Sequence, residues 1–202
     1  MDGTLWNSTP VVAVAWNSVL EKAGLETRVT AERLTQLFGK PMDIIADELL
    51  PYLSKEERYA LLKPCMEAEE KALNANREDI SYPGVREGIQ RLSERFAVCI
   101  VSNCQDGYIE LVMDKLGIAS FIHDYESYGR TGLYKAENIR LVRDRNHFSA
   151  PVYLGDIQGD QDAAHSAGVP FIHAAYGFGT ADAPEATVNS FSELEQILQT
   201  LD

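Results

Sequence analysis

The chain has 202 residues, enough for one sizeable hydrophobic core with room for a small inserted domain. Its 45% hydrophobic and 24% charged content is that of an ordinary globular protein. A formal net charge of −13 without any basic run argues against a nucleic-acid partner. No stretch has the apolar length of a membrane span or the pattern of a signal peptide, so no membrane partner is expected. The three cysteines, Cys65, Cys99 and Cys104, form no CxxC pair and read as reduced thiols of a cytoplasmic protein. The four histidines are scattered without a metal-ligand spacing.

In chain order, residues 9 to 80 read as helical throughout. PVVAVAWNSVLEKAGL has apolar residues at helical spacing and closes on Gly24. TAERLTQLFG starts on a Thr30 cap and is expected to stop at Gly39. PMDIIADELLPYL follows, with Pro41 near its start. SKEERYALLKPCMEAEEKALNAN opens with Ser54 and Glu57 in capping-box spacing, and Pro64 is expected to kink it. Four helices with no intervening strand imply a small bundle.

After YPGV at 82 to 85 the pattern changes to strands alternating with helices. The strands are AVCIVSN, a piece of SFIHDYES, PVYLGD and VPFIHAAYG. The helices are VREGIQRLSERF, DGYIELVMDKLG, KAENIRLVRDRN, QDAAHSAG and SFSELEQILQ. This alternation predicts an α/β fold, doubly wound and Rossmann-like, with one parallel sheet covered by helices on both faces. The expected domains are an α/β core from 1–8 and 82–202 and a helical cap inserted at 9–81.

In such a sheet, ligands bind beyond the carboxyl ends of the strands. AVCIV runs into Ser102 and Asn103, PVYLG runs into Asp156, and Asp2-Gly3-Thr4 sits where a strand would deliver it. GDIQGD adds Asp160. Hard cations such as Mg²⁺ take carboxylate oxygens plus water and substrate phosphate, which suits Asp156 and Asp160. The alternative is that Asp156 only caps a helix beginning near Gly159. Ser102 and Asn103 precede a helix expected near Gln105, where a phosphate could accept bonds from the hydroxyl and from backbone N–H groups; an N-cap is the competing role. Lys135, at the mouth of a helix, is either a solvated lysine or the cation that offsets carboxylates and phosphate.

MDGTL, VSNCQ, GLYKAEN and GDIQGDQDAA, in that order and at those distances, resemble the four motifs of the haloacid dehalogenase superfamily, and in particular its phosphoglycolate-phosphatase-like members with a helical cap. The resemblance covers essentially the whole chain. It implies a Mg²⁺-dependent phosphatase acting on small phosphorylated metabolites through an aspartyl-phosphate. Asp2 would be the general acid and base, with its backbone carbonyl on the cation. Gly3, Thr4, Ser102, Asn103 and Lys135 would bind phosphate, Asp156 would ligate the metal, and Asp160 would support it. LFGKPM at 37 to 42 is the candidate segment of the cap facing the substrate. The resemblance leaves the oligomeric state open.

The sequence departs from the family at one place. The attacking carboxylate of D-x-D-G-T would precede Met1, as would the strand carrying it. A chain starting at Met1 is expected to be nearly inactive, since loss of a covalent nucleophile costs on the order of 10⁶ in turnover. A start at an internal Met of an original D-M-D-G-T is the expected cause. The sheet is then expected to have a gap at its centre or another segment there. The competing functions are a catalytically inactive phosphate- or metal-binding protein and a phosphosugar mutase of similar fold.

Overall fold

In the computed structural model, residues 1–25 and 29–199 are described. Four helices come first: α1 (Thr9–Lys22), α2 (Ala31–Thr35), α3 (Met42–Leu49) and α4 (Lys55–Ala75). Helix α1 gives way at Ala23, and Gly24 follows in the left-handed region at φ +74°. The hydroxyl of Thr30 accepts from Arg33 N to cap α2, but the helix ends at Thr35, four residues before Gly39. Ser54 and Glu57 form the expected reciprocal capping box, satisfying donors at the start of α4. The helix then runs on through Pro64. Helix α1 packs on α2 and α4, and α3 packs on α4.

The remainder alternates. In order come α5 (Val85–Ser93), β1 (Cys99–Ser102), α6 (Tyr108–Leu116), β2 (Asp124–Ser127), the single turn α7 (Tyr128–Thr131), α8 (Lys135–Arg145), β3 (Tyr153–Gly155), α9 (Gln158–Ser166), β4 (Phe171–Ala174), β5 (Ala186–Val188) and α10 (Leu194–Leu198). Strand β5 and the turn α7 have no counterpart in the sequence reading. The segment SFSELEQILQ is a 3-10 turn over Phe191–Glu193 running into α10.

All strand pairs are parallel, as helical crossovers require. They do not form one continuous sheet; the sheet is interrupted, in keeping with the gap expected at its centre. Strands β1 and β2 make one sheet, and β3, β4 and β5 another. Between them the Tyr153 phenol, carried by β3, donates to the Val101 carbonyl of β1 at 2.9 Å. One side-chain bond thus joins the two sheets where a strand would contribute a full ladder.

Helix α8 packs on β1 and β2, and α9 on β3 and β4. The main apolar core is continuous from Trp16, Leu34 and Leu73 in the helical segment to Ile109, Ile172 and Val188 in the alternating part. A second, smaller cluster of Val101, Ile139, Val142, Ala167 and Val169 lies under α8. Because the first core runs through both parts, the four helices are bound to the rest by buried apolar contact. No helix among the described residues is long and apolar enough to cross a membrane.

Candidate active site

The carboxyl ends of β1 and β3 open into one cleft of about 550 Å³. Asp2, Ser102, Asn103, Lys135, Asp156 and Asp160 all line it. Of the sequence-selected residues, only Gly3 and Thr4 are not on its wall, and both serve Asp156 from behind. The Thr4 hydroxyl donates to Asp156 Oδ1 at 2.7 Å, and Phe178 N donates to Oδ2 at 3.0 Å. Gly3, at φ +78°, lies so close that an added Cβ would fall 1.9 Å from Asp156 Oδ2. A side chain there would displace the carboxylate, so this position requires glycine on two counts.

The loop after β3 and Lys135 together hold Asp160 through three hydrogen bonds. Asp160 Oδ2 accepts from the backbone N–H groups of Asp156 (3.0 Å) and Ile157 (3.3 Å), and Oδ1 accepts from Lys135 Nζ. Asp160 thus fixes the loop and the lysine, the supporting role the resemblance implies for it. It also takes the helix-start role considered for Asp156, which leaves Asp156 turned to the cleft. Helix α9 starts at Gln158 with Ile157 as its N-cap.

Lys135 is buried, and its charge is opposed by desolvation, yet Asp160 beside it holds its pKa well above the usual lysine range. Burial tends to raise the Asp160 carboxyl in turn, and Lys135 overcomes this and holds it low. Asp156 is pushed the other way. Burial and the neighbouring Asp160 raise it above the ordinary carboxylate range.

Asp2 is held by two hydroxyls, Ser8 Oγ at 2.5 Å and Tyr108 Oη at 3.2 Å, both donating to Oδ1. Its pKa is raised by burial against the opposing pull of those bonds. Asn103 donates from Nδ2 to the Gly39 carbonyl at 2.9 Å, tying the loop after β1 to the segment 37–42. Phe38, Gly39, Lys40 and Met42 of that segment line the cleft. Asn103 Oδ1 is buried with no hydrogen-bond partner, an acceptor that a bound donor or cation would satisfy. The helix after this loop starts at Tyr108 with Gly107 as its cap, three residues later than expected. Neither Ser102 nor Asn103 is therefore an N-cap.

Sequence reading did not find several residues of this site. Gly177 passes so near that an added Cβ would lie 2.3 Å from Asp156 Cβ and 2.3 Å from the Gly3 carbonyl. The glycines of YGFG, directly after the β4 run, were the available signal. Ser8, Glu69, Gln105 and Tyr108 carry no such signal, because only the folded chain brings them together.

Among the described residues no cluster of three or more His, Cys, Asp or Glu side chains could hold a metal ion. The carboxyl groups on the wall, Asp2 and Asp156, are of the oxygen-donor type that a hard cation such as Mg²⁺ takes together with water and phosphate.

The family model for haloacid dehalogenase-like hydrolases matches residues 1–174. The chain belongs to the haloacid dehalogenase-like hydrolase family. Within it, the chain is similar to the phosphoglycolate phosphatase of Haemophilus influenzae, at 23% identity over 98% of this chain and 95% of that protein. It is also similar to the enzyme of that name from Xanthomonas campestris, at 26% identity over 90% and 83%. Among solved structures, a protein described as a predicted phosphoglycolate phosphatase from Haemophilus somnus superposes with a TM-score of 0.86 at 20% identity, over 98% of this chain and 95% of that one. A haloacid dehalogenase-like hydrolase from Streptococcus pneumoniae gives 0.84 at 17% identity, over the same shares. These structures share the Rossmann-like core fold.

Proposed function

We propose that this haloacid dehalogenase-like phosphatase hydrolyses small phosphate monoesters, phosphoglycolate-like or sugar phosphates, with Mg²⁺ as cofactor. The observation that supports the reading is the meeting of Asp2, Ser102, Asn103, Lys135 and Asp156 around one cleft. Bound at the Asp156 carboxylate and the Asp2 backbone carbonyl, the cation would neutralise phosphate oxygens and polarise phosphorus. Ser102 donates a hydrogen bond to the phosphoryl group, and Lys135, kept charged by Asp160, offsets the charge that builds on it. Asp2, with its raised pKa, keeps a proton for the leaving oxygen, and the Ser8 and Tyr108 hydroxyls aim the carboxyl. The helices between 9 and 81 serve as the cap that excludes water and contacts the leaving group. The three unpaired cysteines suit the reducing cytoplasm.

The family motif places the attacking carboxylate just ahead of Met1. Asp2, Asp156 and Asp160 are each committed to another task, so the 202 residues alone are expected to turn over very slowly. The test compares phosphate release from p-nitrophenyl phosphate by this chain and by one extended to carry an apolar strand ending in Asp. Mg²⁺-dependent release by the extended chain alone is the expected result. Negligible release by both, with Mg²⁺ binding retained, would replace this reading with that of an inactive binding protein.

A further inference from the structure

One buried acid on the wall of the cleft has no part in the chemistry assigned above. Glu69, in α4, is 3% exposed and faces the same space as Ser102, Lys135 and Asp156. Its Oε2 accepts from Trp16 Nε1 at 2.9 Å and its Oε1 from Gln105 Nε2 at 3.3 Å. Trp16 belongs to α1 and Gln105 to the loop after β1, so the carboxyl is fixed from both the cap and the core. A carboxylate can accept about four hydrogen bonds, and these two use half of that capacity. One acceptor position on each oxygen is left for a ligand.

The charges around Glu69 decide which ligand. The cleft's two lysines are both engaged by other carboxylates, Lys135 by Asp160 and Lys40 by Glu48. Asp2 and Asp156 share the wall and are themselves acids. The cleft therefore meets a leaving group at Glu69 with acids and hydrogen-bond acceptors and no unengaged lysine, which suits an incoming donor and not a second carboxylate.

We propose that Glu69 reads the leaving group, selecting phosphate esters whose alcohol carries a hydrogen-bond donor, an ammonium group above a hydroxyl, over esters whose alcohol carries a carboxylate. This rests on the phosphatase reading and narrows its substrate class toward amino-alcohol and polyol phosphates. It also separates this chain from relatives named for phosphoglycolate, whose leaving alcohol is a carboxylate. Burial and the nearby Asp2 push the Glu69 pKa up to about 8, so the empty site favours a bound proton. An incoming ammonium takes the place of that proton, which passes to solvent.

The experiment is calorimetric titration of the 202-residue chain in Mg²⁺ buffer at constant pH with inorganic phosphate, phosphoethanolamine, glycerol phosphate and phosphoglycolate. Phosphoethanolamine is expected to bind at least about tenfold more tightly than phosphoglycolate, with glycerol phosphate between them. Glu69→Gln keeps the size of the side chain and an oxygen to accept from Trp16 Nε1, turns an NH₂ toward Gln105, and removes the charge. In that variant the ratio is expected to fall to within about threefold. Phosphoglycolate binding as tightly as phosphoethanolamine, while inorganic phosphate binds, would overturn this inference alone. An undiminished ratio in folded Glu69→Gln protein would do the same. Failure of inorganic phosphate to bind would remove the phosphoryl site and this inference with it. Should the variant not fold, the wild-type ranking decides.

Discussion

Two groups of acids lie on this α/β scaffold, and they are neutralised to very different degrees. On β2, Asp124 and Glu126 are clamped by Arg145, which donates from Nε and Nη2 to Asp124 and from Nη1 to Glu126, each at 2.7 Å. Arg130 adds a longer contact to Glu126 at 3.5 Å. Despite the opposing effect of burial, the Arg145 bonds hold Asp124 below the usual carboxylate range. At the cleft, Asp2, Glu69 and Asp156 share one wall, and its lysines Lys135 and Lys40 are already paired with Asp160 and Glu48. All three acids are pushed upward, first of all by burial. The first group is balanced within the chain and serves the fold. The second is short of positive charge, the condition expected where a cation and a charged ligand bind.

Breaking the cleft's internal pair should have the largest effect. Lys135→Met leaves Asp160 buried with no counter-charge, and about 3–5 kcal/mol of stability should be lost in denaturant unfolding. In the N-terminally extended chain it should also lower phosphate release by about 10²–10³-fold.

The two groups should also respond to pH with opposite sign. In the fold the Glu69 pKa is pushed up to about 8, above the ordinary glutamate value of 4.5. Its contribution is therefore full below about pH 4.5 and is lost as pH rises through about 8. Asp124 is depressed in the fold, so its contribution is present above its ordinary value and is lost as pH falls. Melting temperatures across pH should show Glu69→Gln flattening the decline between about pH 4.5 and 8 and Asp124→Asn flattening the acid one. A decline over that range unchanged in Glu69→Gln would refute the first assignment.

Arg145→Ala should cost about 1–3 kcal/mol by stranding the buried Glu126 carboxylate, with phosphate binding unaltered. Loss of phosphate binding in that variant would contradict the division of labour. Tyr153→Phe should be milder still. Removing the one hydroxyl that bridges β3 and β1 should cost about 0.5–1.5 kcal/mol in denaturant unfolding.

The fold class was legible because apolar β-branched runs alternate with amphipathic helices after residue 82. The sites at strand ends were legible because Ser102 and Asp156 stand directly after those runs. The division of the strands into two sheets does not follow from alternation alone, since periodicity identifies strands but not their partners. Asp160 was found as a residue, but its partners were not legible. Two backbone N–H groups and a lysine compete for its oxygens, and only their relative placement shows it. Strand β5 was hidden by its length, three residues carrying little pattern. Glu69 was invisible for a different reason: mid-helix, in an acidic stretch reading EAEEK, it looks like a solvated residue until Trp16 and Gln105 are seen to enclose it.

The most direct test of the charge-deficient cleft is titration of Mg²⁺ with inorganic phosphate into the wild-type chain, Asp156→Asn and Asp124→Asn. Mg²⁺-dependent phosphate binding should be present in the wild type and in Asp124→Asn and lost in Asp156→Asn. Equal binding by all three proteins, or loss in Asp124→Asn instead, would contradict the account.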